Sequence, residues 1–386
     1  MEELKRILSI DLPAHQSAFL WGPRKTGKTT LLRKQFPKSI FIDFLKTDTF
    51  FDYSKSPSLL RERLLSQKDK ARTHPVIIDE IQKIPQVLDE VHWLIENSAM
   101  SFILCGSSAR KLKRGQANLL GGRAWRFELF PLVSAEIENL HLLTALNRGL
   151  IPSHYQQISY KRSLKGYVQD YLKEEVFNEG FTRNIPAFSR FFEAIGYSHG
   201  QLINYANIAR ECGVSSKTVK EYYQILVDTL LGTFVLPFKK RQERQVISKA
   251  SKFYLFDTGV AGAICKQNIA DEKGELFGNA FEHFIYLEML AHRSYHEIDY
   301  EINFWRTKSG LEVDFILGNG DVAVEVKGTS MVDRRALRPM KTFIDRYAPR
   351  KSIVVCNERE ERIHSGIRIM PWRLFLQELW RDKIIR

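Results

Sequence analysis

The sequence feature that most constrains the fold is a glycine-rich stretch near the N-terminus, Gly22-Pro-Arg-Lys-Thr-Gly-Lys-Thr-Thr30. It has the spacing G-x-x-x-x-G-K-[ST] that is typical of a phosphate-binding loop. An apolar run over 17–21 precedes it and a helical pattern over 31–36 follows it. This order predicts a P-loop α/β sheet, with the loop at the carboxyl end of the first strand.

Each fixed position of the loop has a physical role in binding a triphosphate. Gly22 and Gly27 let the backbone curl, so that N–H groups at a helix N-terminus point at phosphate oxygens. Lys28 is expected to reach the β- and γ-phosphates, and the Thr29 hydroxyl to complete a Mg²⁺ shell. The alternative is a glycine turn that binds nothing. The predicted nucleotide contacts are Gly22, Pro23, Arg24, Lys25, Thr26, Gly27, Lys28, Thr29 and Thr30.

A second motif follows an apolar strand predicted over 75–78, which ends in Asp79-Glu80. Nucleoside triphosphatases need two carboxylates beside the phosphate loop, one for the metal and one to polarise the attacking water. We assign Asp79 to Mg²⁺ and Glu80 to the general base. The alternative is that the pair only starts a helix.

Two further candidates follow a strand predicted over 102–105. Ser107 or Ser108 is a candidate sensor of the γ-phosphate, or else an ordinary turn residue. Arg123 or Arg126 is a candidate arginine finger for a neighbouring subunit's nucleotide, or else a surface ion-pair partner. All these residues are expected at the carboxyl ends of the strands. Since no Asn-Lys-x-Asp run occurs, we favour ATP over GTP.

Length and composition indicate several globular domains. A chain of 386 residues exceeds one ordinary core, and 44% hydrophobic residues are usual for a soluble protein. The four cysteines are scattered, which favours buried thiols in a reducing cytosol over a disulfide framework or a zinc cage. A charged N-terminus without an apolar run of membrane-spanning length predicts a cytoplasmic protein that does not enter the membrane.

The net charge of +13 is unevenly distributed. Residues 1–150 carry +7, residues 151–270 carry +6 and residues 271–386 are neutral. Basic patches attract nucleic acid by releasing counterions, although a solvated basic surface is the alternative. DNA is therefore a candidate partner of the first two segments. The local clusters are Arg110, Lys111, Lys113 and Arg114, and Lys239, Lys240, Arg241 and Arg244.

Outside the motifs, the hydrophobic pattern predicts further elements. Leu4, Leu8 and Leu12 predict a short amphipathic helix before the first strand. Residues 57–72 predict another helix. From 151 the pattern becomes helical, and residues 202–226 predict a helix-turn-helix with its turn at Gly213. Its second helix presents Lys217, Lys220 and Gln224, and strands over 235–240 and 252–256 suggest a wing; the module either contacts DNA or only packs.

The last segment combines a helix over 275–293 with strands over 302–306, 312–317 and 322–327, a helix over 335–347 and a strand over 352–356. Because side chains alternate along a strand, Asp314 shares a face with Glu312, and Glu325 with Lys327. Glu282, Asp314 and Glu325 are candidate ligands of one or two Mg²⁺ or Mn²⁺ ions, with Lys327 orienting water on a phosphodiester. The alternative is a salt-bridge ladder on a half-exposed sheet.

Together these motifs resemble a widespread prokaryotic family of predicted AAA+ ATPases that carry a C-terminal domain of unknown function with a PD-(D/E)xK nuclease-like core. The resemblance implies ATP hydrolysis with Mg²⁺, assembly into a homo-oligomeric ring such as a hexamer, and a metal-dependent nuclease. It rests on residues 22–32, Ile78-Asp-Glu-Ile-Gln82, Gly106-Ser-Ser, Leu120-Gly-Gly-Arg123-Ala, Lys217-Thr-Val, Phe253-Tyr-Leu-Phe-Asp-Thr-Gly259, Phe281-Glu282, Glu312-Val-Asp314-Phe and Val324-Glu325-Val-Lys327-Gly.

The resulting hypothesis has three domains: an AAA+ P-loop ATPase domain over 1–150, a helical and winged helix-turn-helix domain over 151–270, and an α/β PD-(D/E)xK nuclease-like domain over 271–386. Hydrolysis would be coupled to DNA binding or processing. The alternative hypothesis is a nucleotide-dependent switch whose last domain is catalytically inactive and gathers partners. The neutral charge of that domain favours the alternative, because a nuclease surface usually has a basic excess.

Overall fold

The computed structural model describes residues 4–107, 120–172, 184–240 and 251–386. The chain divides into two compact units. The first unit contains Lys5–Pro131 together with Asp228–Leu231. The second contains Leu132–Val227 and Gly232–Arg386. The basic cluster 110–114, Ser108, Arg241 and Arg244 lie outside the described residues.

The first unit is built on a parallel five-stranded sheet in the order β2-β3-β4-β1-β5. All residues of β1, β3 and β4 are buried, which explains why these strands are continuous apolar runs. The predicted P-loop sheet is therefore confirmed as a parallel α/β sheet. The strands are β1 (Ser17–Trp21), β2 (Phe41–Asp43), β3 (Val76–Asp79), β4 (Phe102–Gly106) and β5 (Ala124–Glu128).

Five α-helices of the first unit lie in its described part. The helix predicted over 57–72 is interrupted at Gln67, whose backbone is not helical. The core beneath the helices includes Phe44, Leu60 and Val91, all fully buried. The helices are α1 (Lys28–Gln35), α2 (Thr47–Lys55), α3 (Leu59–Ser66), α4 (Lys68–Thr73) and α5 (Val87–Ser98).

The helix predicted ahead of the first strand is wrong for the described residues 4–12, which have no regular secondary structure. Leu8 and Ile10 are buried whereas the residues between and beside them are exposed. The side chain of Gln35 holds the segment, since its Nε2 donates to the Leu8 carbonyl at 2.7 Å and its Oε1 accepts from the Ile10 N–H at 3.1 Å. Leucines at a spacing of four occur both in helices and in extended segments. Here the hydrogen bonds to Gln35 of α1 stabilise the extended segment.

The second unit is helical after residue 151, as the pattern predicts, but one helix, Leu142–Arg148, already precedes that position. Two helices meet at the turn predicted at Gly213: this residue has a left-handed backbone with φ 67°, and the Ser215 hydroxyl accepts from the Thr218 N–H at 3.1 Å. The α-helices are α6 (Leu142–Arg148), α7 (Pro152–Tyr155), α8 (Tyr160–Gly166), α9 (Ile185–Ser198), α10 (Tyr205–Cys212), α11 (Ser216–Asp228) and α12 (Thr258–Ile264), and a π-helix spans Tyr167–Leu172.

The second unit also contains a mixed eight-stranded sheet, in the order β12-β13-β11-β10-β9-β8-β6-β7. The two strands predicted as a wing, β6 and β7, pair with each other and extend this sheet, because β6 lies parallel to β8. The strands are β6 (Gly232–Pro237), β7 (Lys252–Leu255), β8 (Ile302–Arg306), β9 (Glu312–Leu317), β10 (Val322–Lys327), β11 (Lys351–Cys356), β12 (Arg362–His364) and β13 (Ile367–Pro371).

Three helices accompany this sheet: α13 (Gly274–Tyr295), α14 (Arg338–Tyr347) and α15 (Trp372–Leu379). A short 3-10 turn over Arg334–Leu337 precedes α14. All four cysteines of the chain are buried free thiols, as predicted. Within the described parts of the chain, no helix combines the length and the apolar character that crossing a membrane requires.

Candidate functional site

The loop between β1 and α1 has the backbone that its glycines predict. Gly27 caps α1 with φ 95°, a conformation that L side chains rarely adopt. A Cβ on Gly22 would lie 2.4 Å from the Leu129 carbonyl oxygen, so the chain passes there too closely for any side chain. The loop therefore wraps around the N-terminus of α1, where backbone N–H groups favour an anion.

The Lys28 side chain lies inside this loop and is 6% exposed. Its Nζ donates to the carbonyls of Gly22 at 2.7 Å and Pro23 at 3.0 Å. The Thr26 hydroxyl also donates to the Pro23 carbonyl, at 2.8 Å. The cation is thus held at the centre of the loop. Of the other predicted contacts, Lys25 and Thr30 are exposed and Arg24 is half-buried.

One contributor to the loop was missed by sequence reasoning. Arg6, in the extended N-terminal segment, donates from Nη1 to the Thr26 carbonyl at 2.6 Å and from Nη2 to the Phe130 carbonyl at 2.8 Å. A guanidinium presents several donors in a fixed plane, so one side chain can join two backbone segments. Nothing in the spacing of the motif marks Arg6, because it lies outside the motif.

The two predicted metal ligands of the first unit are in contact. The Thr29 hydroxyl donates to Asp79 Oδ2 at 2.6 Å, and Asp79 is 2% exposed. Asp79 ends β3, and β3 pairs with β4 in a register that sets Asp79 beside Cys105. A hydroxyl and a carboxylate oxygen are ligands that Mg²⁺ prefers, so the pair fits that ion.

Glu80 has a left-handed backbone, with φ 59° and ψ 42°. For a residue with a side chain this conformation is disfavoured by about 1 kcal/mol, and such strain is concentrated at functional sites. The Gln82 amide holds the carboxylate, donating to Glu80 Oε2 at 2.5 Å and to the Ser107 hydroxyl oxygen at 3.1 Å. All three side chains are buried. Sequence reasoning predicted Glu80 and Ser107 but not Gln82, which joins them.

The first unit does not bring Arg123 to this site. Strand β5 runs parallel to β1, and Ala124 pairs with Ser17 at the start of β1. Arg123 therefore lies at the amino edge of the sheet, and the expectation that all candidates share the carboxyl edge is wrong for it. Its Nε contacts the Glu96 carboxylate, and both side chains are over two-fifths exposed. Arg126, further along β5, is also exposed.

The sequence predicts a charged set in the second unit, which consists of Glu282, Asp314, Glu325 and Lys327. Its strand residues lie on the adjacent strands β9 and β10. Asp314 on β9 and Glu325 on β10 are nearly buried, at 8% and 3% exposed. The Val326 N–H donates to Asp314 Oδ2 at 2.8 Å, and Glu325 Oε2 accepts from the Asp314 N–H at 3.3 Å. Lys327 Nζ forms an ion pair with Glu325 Oε1 at 2.6 Å. The contact of Lys327 with Glu325 agrees with the strand alternation, which places both side chains on one face of β10.

Sequence reasoning missed Lys252, the cation at the centre of this set. Its side chain is 4% exposed and pairs with Glu282 Oε1 at 3.2 Å and Glu312 Oε1 at 2.7 Å. The Tyr254 hydroxyl donates to the same oxygen of Glu282. Lys252 and Tyr254 are on β7, which joins this sheet only through β6. Their part in the site thus follows from tertiary pairing that no local pattern predicts.

The pKa values in this set follow from burial and from the neighbouring charges. Burial, followed by Glu325 and Glu282, raises the pKa of Asp314 well above its ordinary value. Burial also raises the pKa of Glu325, against the opposing effect of Lys327. Burial alone would lower the pKa of Lys252, but Glu282, Asp314 and Glu312 raise it instead. Burial and the neighbouring carboxylates therefore disfavour the charged form of Asp314, whereas the same carboxylates keep Lys252 charged.

The predicted metal ligands of the second unit do not reach ligand spacing. Within the described ranges, three acidic or imidazole side chains have ligand atoms within 4.8 Å of one another at one place, His292, His296 and Asp382. Glu282, Asp314 and Glu325 lie near one another but do not meet that spacing. The charges of these carboxylates are balanced by the Lys252 and Lys327 ammonium groups.

The parallel sheet, the loop at the end of β1 and the Thr29–Asp79 pair are consistent with a P-loop NTPase-like unit. Comparison with known protein families gives a matching result for this part of the chain. Residues 14–138 match the family described as AAA domain. Residues 139–271 match Domain of unknown function (DUF8612), and residues 277–375 match Domain of unknown function (DUF4143). The chain thus carries an AAA-type, ATPase-like domain and a DUF4143 domain C-terminal to it.

The similar curated proteins are mycobacterial. They are the uncharacterized protein Rv2008c of Mycobacterium tuberculosis and the uncharacterized protein Mb2031c of Mycobacterium bovis. Each is 25% identical to this chain over 369 residues, which cover 91% of this chain and 79% of the relative. The similarity extends across both units and is not limited to the phosphate loop.

Proposed function

We propose that this protein is a Mg²⁺-dependent ATP hydrolase. The observation that carries the proposal is the contact of Thr29 with Asp79 at 2.6 Å behind a loop whose interior holds Lys28. An AAA-type domain in the same residues supports it. The nucleotide is the substrate, and its phosphates would contact the loop over 22–30.

The residues have separate tasks. The backbone N–H groups of the loop and the Lys28 ammonium bind and orient the phosphates. Thr29 and Asp79 would hold the metal ion, which neutralises phosphate charge when bound. Glu80 accepts a proton from the attacking water, and Gln82 fixes the position of its carboxylate. Ser107 contacts the amide of Gln82 and so links the end of β4 to the base.

The test is steady-state ATP turnover with Mg²⁺ by the full chain and by two variants. Lys28→Ala is expected to abolish ATP binding and turnover. Glu80→Gln is expected to retain ATP binding and to lower kcat by about 10²-fold or more. Unchanged turnover in Lys28→Ala contradicts the proposal, because the phosphates would then not be bound by this loop.

We further propose that hydrolysis is coupled to binding of DNA. The helix-turn-helix exposes Lys217, Lys220 and Gln224, and Lys239 and Lys240 are exposed as well. The test is DNA binding at several salt concentrations by wild type and by the Lys217→Ala/Lys220→Ala double variant. The control is Lys161→Ala/Lys165→Ala, which removes two exposed lysines from α8. Selective weakening and a shallower salt dependence in the first variant support DNA binding by the helix-turn-helix, and ATP turnover that DNA raises in wild type but not in this variant supports the coupling; equal effects in the two variants contradict it.

For the C-terminal domain the geometry favours a partner-binding module over a nuclease. The acids of the charged set are paired internally, Glu282 with Lys252 and Glu325 with Lys327, and they do not reach ligand spacing. The test incubates linear and branched DNA with Mg²⁺ or Mn²⁺ and wild type or Asp314→Ala. Cleavage that Asp314→Ala abolishes supports the nuclease instead. Absence of cleavage by both proteins supports the partner-binding module.

A ring of AAA-type domains remains part of the proposal, with Arg123 acting on a neighbouring subunit. Its position at the amino edge excludes contact with the phosphate loop of its own chain. Arg123→Ala should lower turnover, and the loss should be rescued when it is mixed with Lys28→Ala, because the two defects then fall in different subunits. Glu96→Ala, which removes only the ion-pair partner of Arg123, is the control.

A further inference from the structure

A second side-chain cluster lies at the end of α13, apart from both sites described above. His292 and His296 are separated by one helical turn, and the carboxylate of Asp382 approaches both. Asp382 Oδ1 is 3.0 Å from His292 Nε2 and 2.6 Å from His296 Nδ1. The His292 side chain is fully buried, whereas those of His296 and Asp382 are 28% and 31% exposed.

We propose that His292, His296 and Asp382 bind a divalent transition metal of the zinc class. Two imidazole nitrogens and one carboxylate oxygen are the ligand types that Zn²⁺ takes, whereas Mg²⁺ and Ca²⁺ require oxygen ligands. The three ligand atoms already lie within 4.8 Å of one another. In a tetrahedral site with bonds of about 2.0–2.2 Å the ligand atoms are roughly 3.3 Å apart, so only a small outward movement is needed.

The hydrogen bonds of His292 give an independent argument. The Tyr300 hydroxyl donates to the Met289 carbonyl at 2.8 Å and lies 3.2 Å from His292 Nδ1. A hydroxyl has one proton, so when it is given to the carbonyl the oxygen accepts from Nδ1–H. The Nε2 atom of a neutral His292 then carries a lone pair, which faces the Asp382 carboxylate.

In that tautomer two lone pairs lie 3.0 Å apart, and they repel each other unless a cation lies between them. A metal ion resolves the conflict and leaves the imidazole neutral. Tyr300 is then a positioning residue, since it fixes the tautomer that presents Nε2 to the metal.

The surroundings also favour a cation. The cluster is at the C-terminus of α13, where the helix dipole attracts positive charge. The Trp380 ring packs against both imidazoles, with centroid distances of 5.6 Å to His292 and 5.7 Å to His296. The two imidazoles are therefore positioned by the end of α13 and by the Trp380 ring. The metal would connect α13 to the segment after α15, and its exposed side is open to water.

The test measures Zn²⁺ affinity of the untagged full chain after chelator treatment, by competition with a chromophoric chelator. Excess Mg²⁺ is present, so that the proposed Mg²⁺ ligands Thr29 and Asp79 do not compete for Zn²⁺. Wild type is expected to bind one Zn²⁺. His296→Gln and Asp382→Asn should each weaken binding by about 100-fold or more, while His364→Gln, a distant half-exposed histidine, should not. Equal affinity in all four proteins, or no binding at micromolar Zn²⁺, overturns the proposal.

Two further readouts keep the test independent of misfolding. Melting in chelator shows whether each variant is folded, and added Zn²⁺ should raise the melting temperature of wild type but not of His296→Gln. Tyr300→Phe should weaken Zn²⁺ binding by about 10–100-fold while all three ligands remain. With Co²⁺ in place of Zn²⁺, a tetrahedral visible absorption supports the site, and a spectrum identical in Asp382→Asn contradicts it.

Discussion

The side-chain amide of Gln82 donates to the carboxylate of Glu80, with an Nε2–Oε2 distance of 2.5 Å. The same amide contacts Ser107, and a Cβ on Gly106 would lie 2.4 Å from Gln82 Oε1. The proposed general base is therefore fixed by a side chain that is itself closely packed. A carboxylate on a strained backbone needs such support, because rotation of a few degrees would move it away from the water it activates.

We predict that Gln82→Met lowers kcat for ATP by about tenfold or more and leaves ATP affinity unchanged. Methionine has a similar volume but no donor for Glu80. The measurements are steady-state kinetics and equilibrium binding of a nucleotide analogue. The matched control is Gln86→Met, because Gln86 is exposed a few residues further on. A change in affinity without a change in kcat would show that Gln82 supports binding and not the base.

A second prediction concerns Arg6, which joins the Thr26 and Phe130 carbonyls. Arg6→Met removes hydrogen bonds from a charged donor, each of which contributes about 1.5–3 kcal/mol. The phosphate loop should become less ordered, and ATP binding should weaken by tenfold or more. Calorimetric titration with ATP and Mg²⁺ measures this. Lys5→Met alters the exposed neighbouring cation and is expected to bind as wild type does.

A third prediction concerns the stability of the second unit. Gly149 has φ 71°, and a Cβ there would lie 2.0 Å from Asp257 Oδ1. That carboxylate accepts from the Leu150 N–H at 2.6 Å and caps α12 through the Val260 N–H at 2.9 Å. Gly149→Ala should destabilise the second unit by about 2 kcal/mol or more, since it combines left-handed strain with loss of a cap.

Gly366→Ala is the control for Gly149→Ala. Gly366 has φ 76°, and nothing lies within 4 Å of a Cβ placed there. It therefore contributes the backbone strain without the steric overlap. Thermal melting followed by circular dichroism should rank wild type, Gly366→Ala and Gly149→Ala in order of decreasing stability. Equal melting temperatures for the two alanine variants would show that the contact with Asp257 relaxes at no cost.

A fourth prediction concerns acid stability. His283 is fully buried and contacts the Leu255 carbonyl at 2.6 Å, and burial lowers its pKa to about 4. His199, whose ring centroid is 4.2 Å away, has its pKa lowered well below the ordinary value by burial and by His283. Between about pH 6.5 and pH 4 the unfolded chain binds protons at these positions and the folded chain does not. The free energy of unfolding therefore has its full value above about pH 6.5 and decreases as the pH falls.

The measurement is the melting temperature at pH 7.5 and at pH 5. Wild type should lose stability at the lower pH, and His283→Gln should lose less, since one of the two groups no longer titrates. His364→Gln, which changes a half-exposed histidine, should show the wild-type pH dependence. A larger loss in His283→Gln than in wild type would reverse the sign of this argument.

Much of the fold and of the first site is predictable from the sequence, because local patterns determine it. Strands β8, β9 and β10 follow from apolar alternation, and the loop before Lys28 follows from glycine spacing. The error over residues 4–12 has a physical cause: leucines four apart suit both a helix and an extended chain, and Gln35 decides between them. Arg6 and Gln82 are single polar residues without a periodic signal.

The sequence by itself predicted a parallel sheet with a phosphate loop, and it singled out Thr29, Asp79, Asp314 and Glu325 as candidate site residues. Each depends on spacing along one element or on neighbouring strand ends. Tertiary structure alone decided that Lys252 neutralises the acids of the second unit, that Arg123 lies away from its own phosphate loop, and that Asp382 meets His292 and His296. The contacts of Lys252 with Glu282 and of Asp382 with His292 join residues 30 and 90 positions apart, and only the packing of whole elements brings such side chains together.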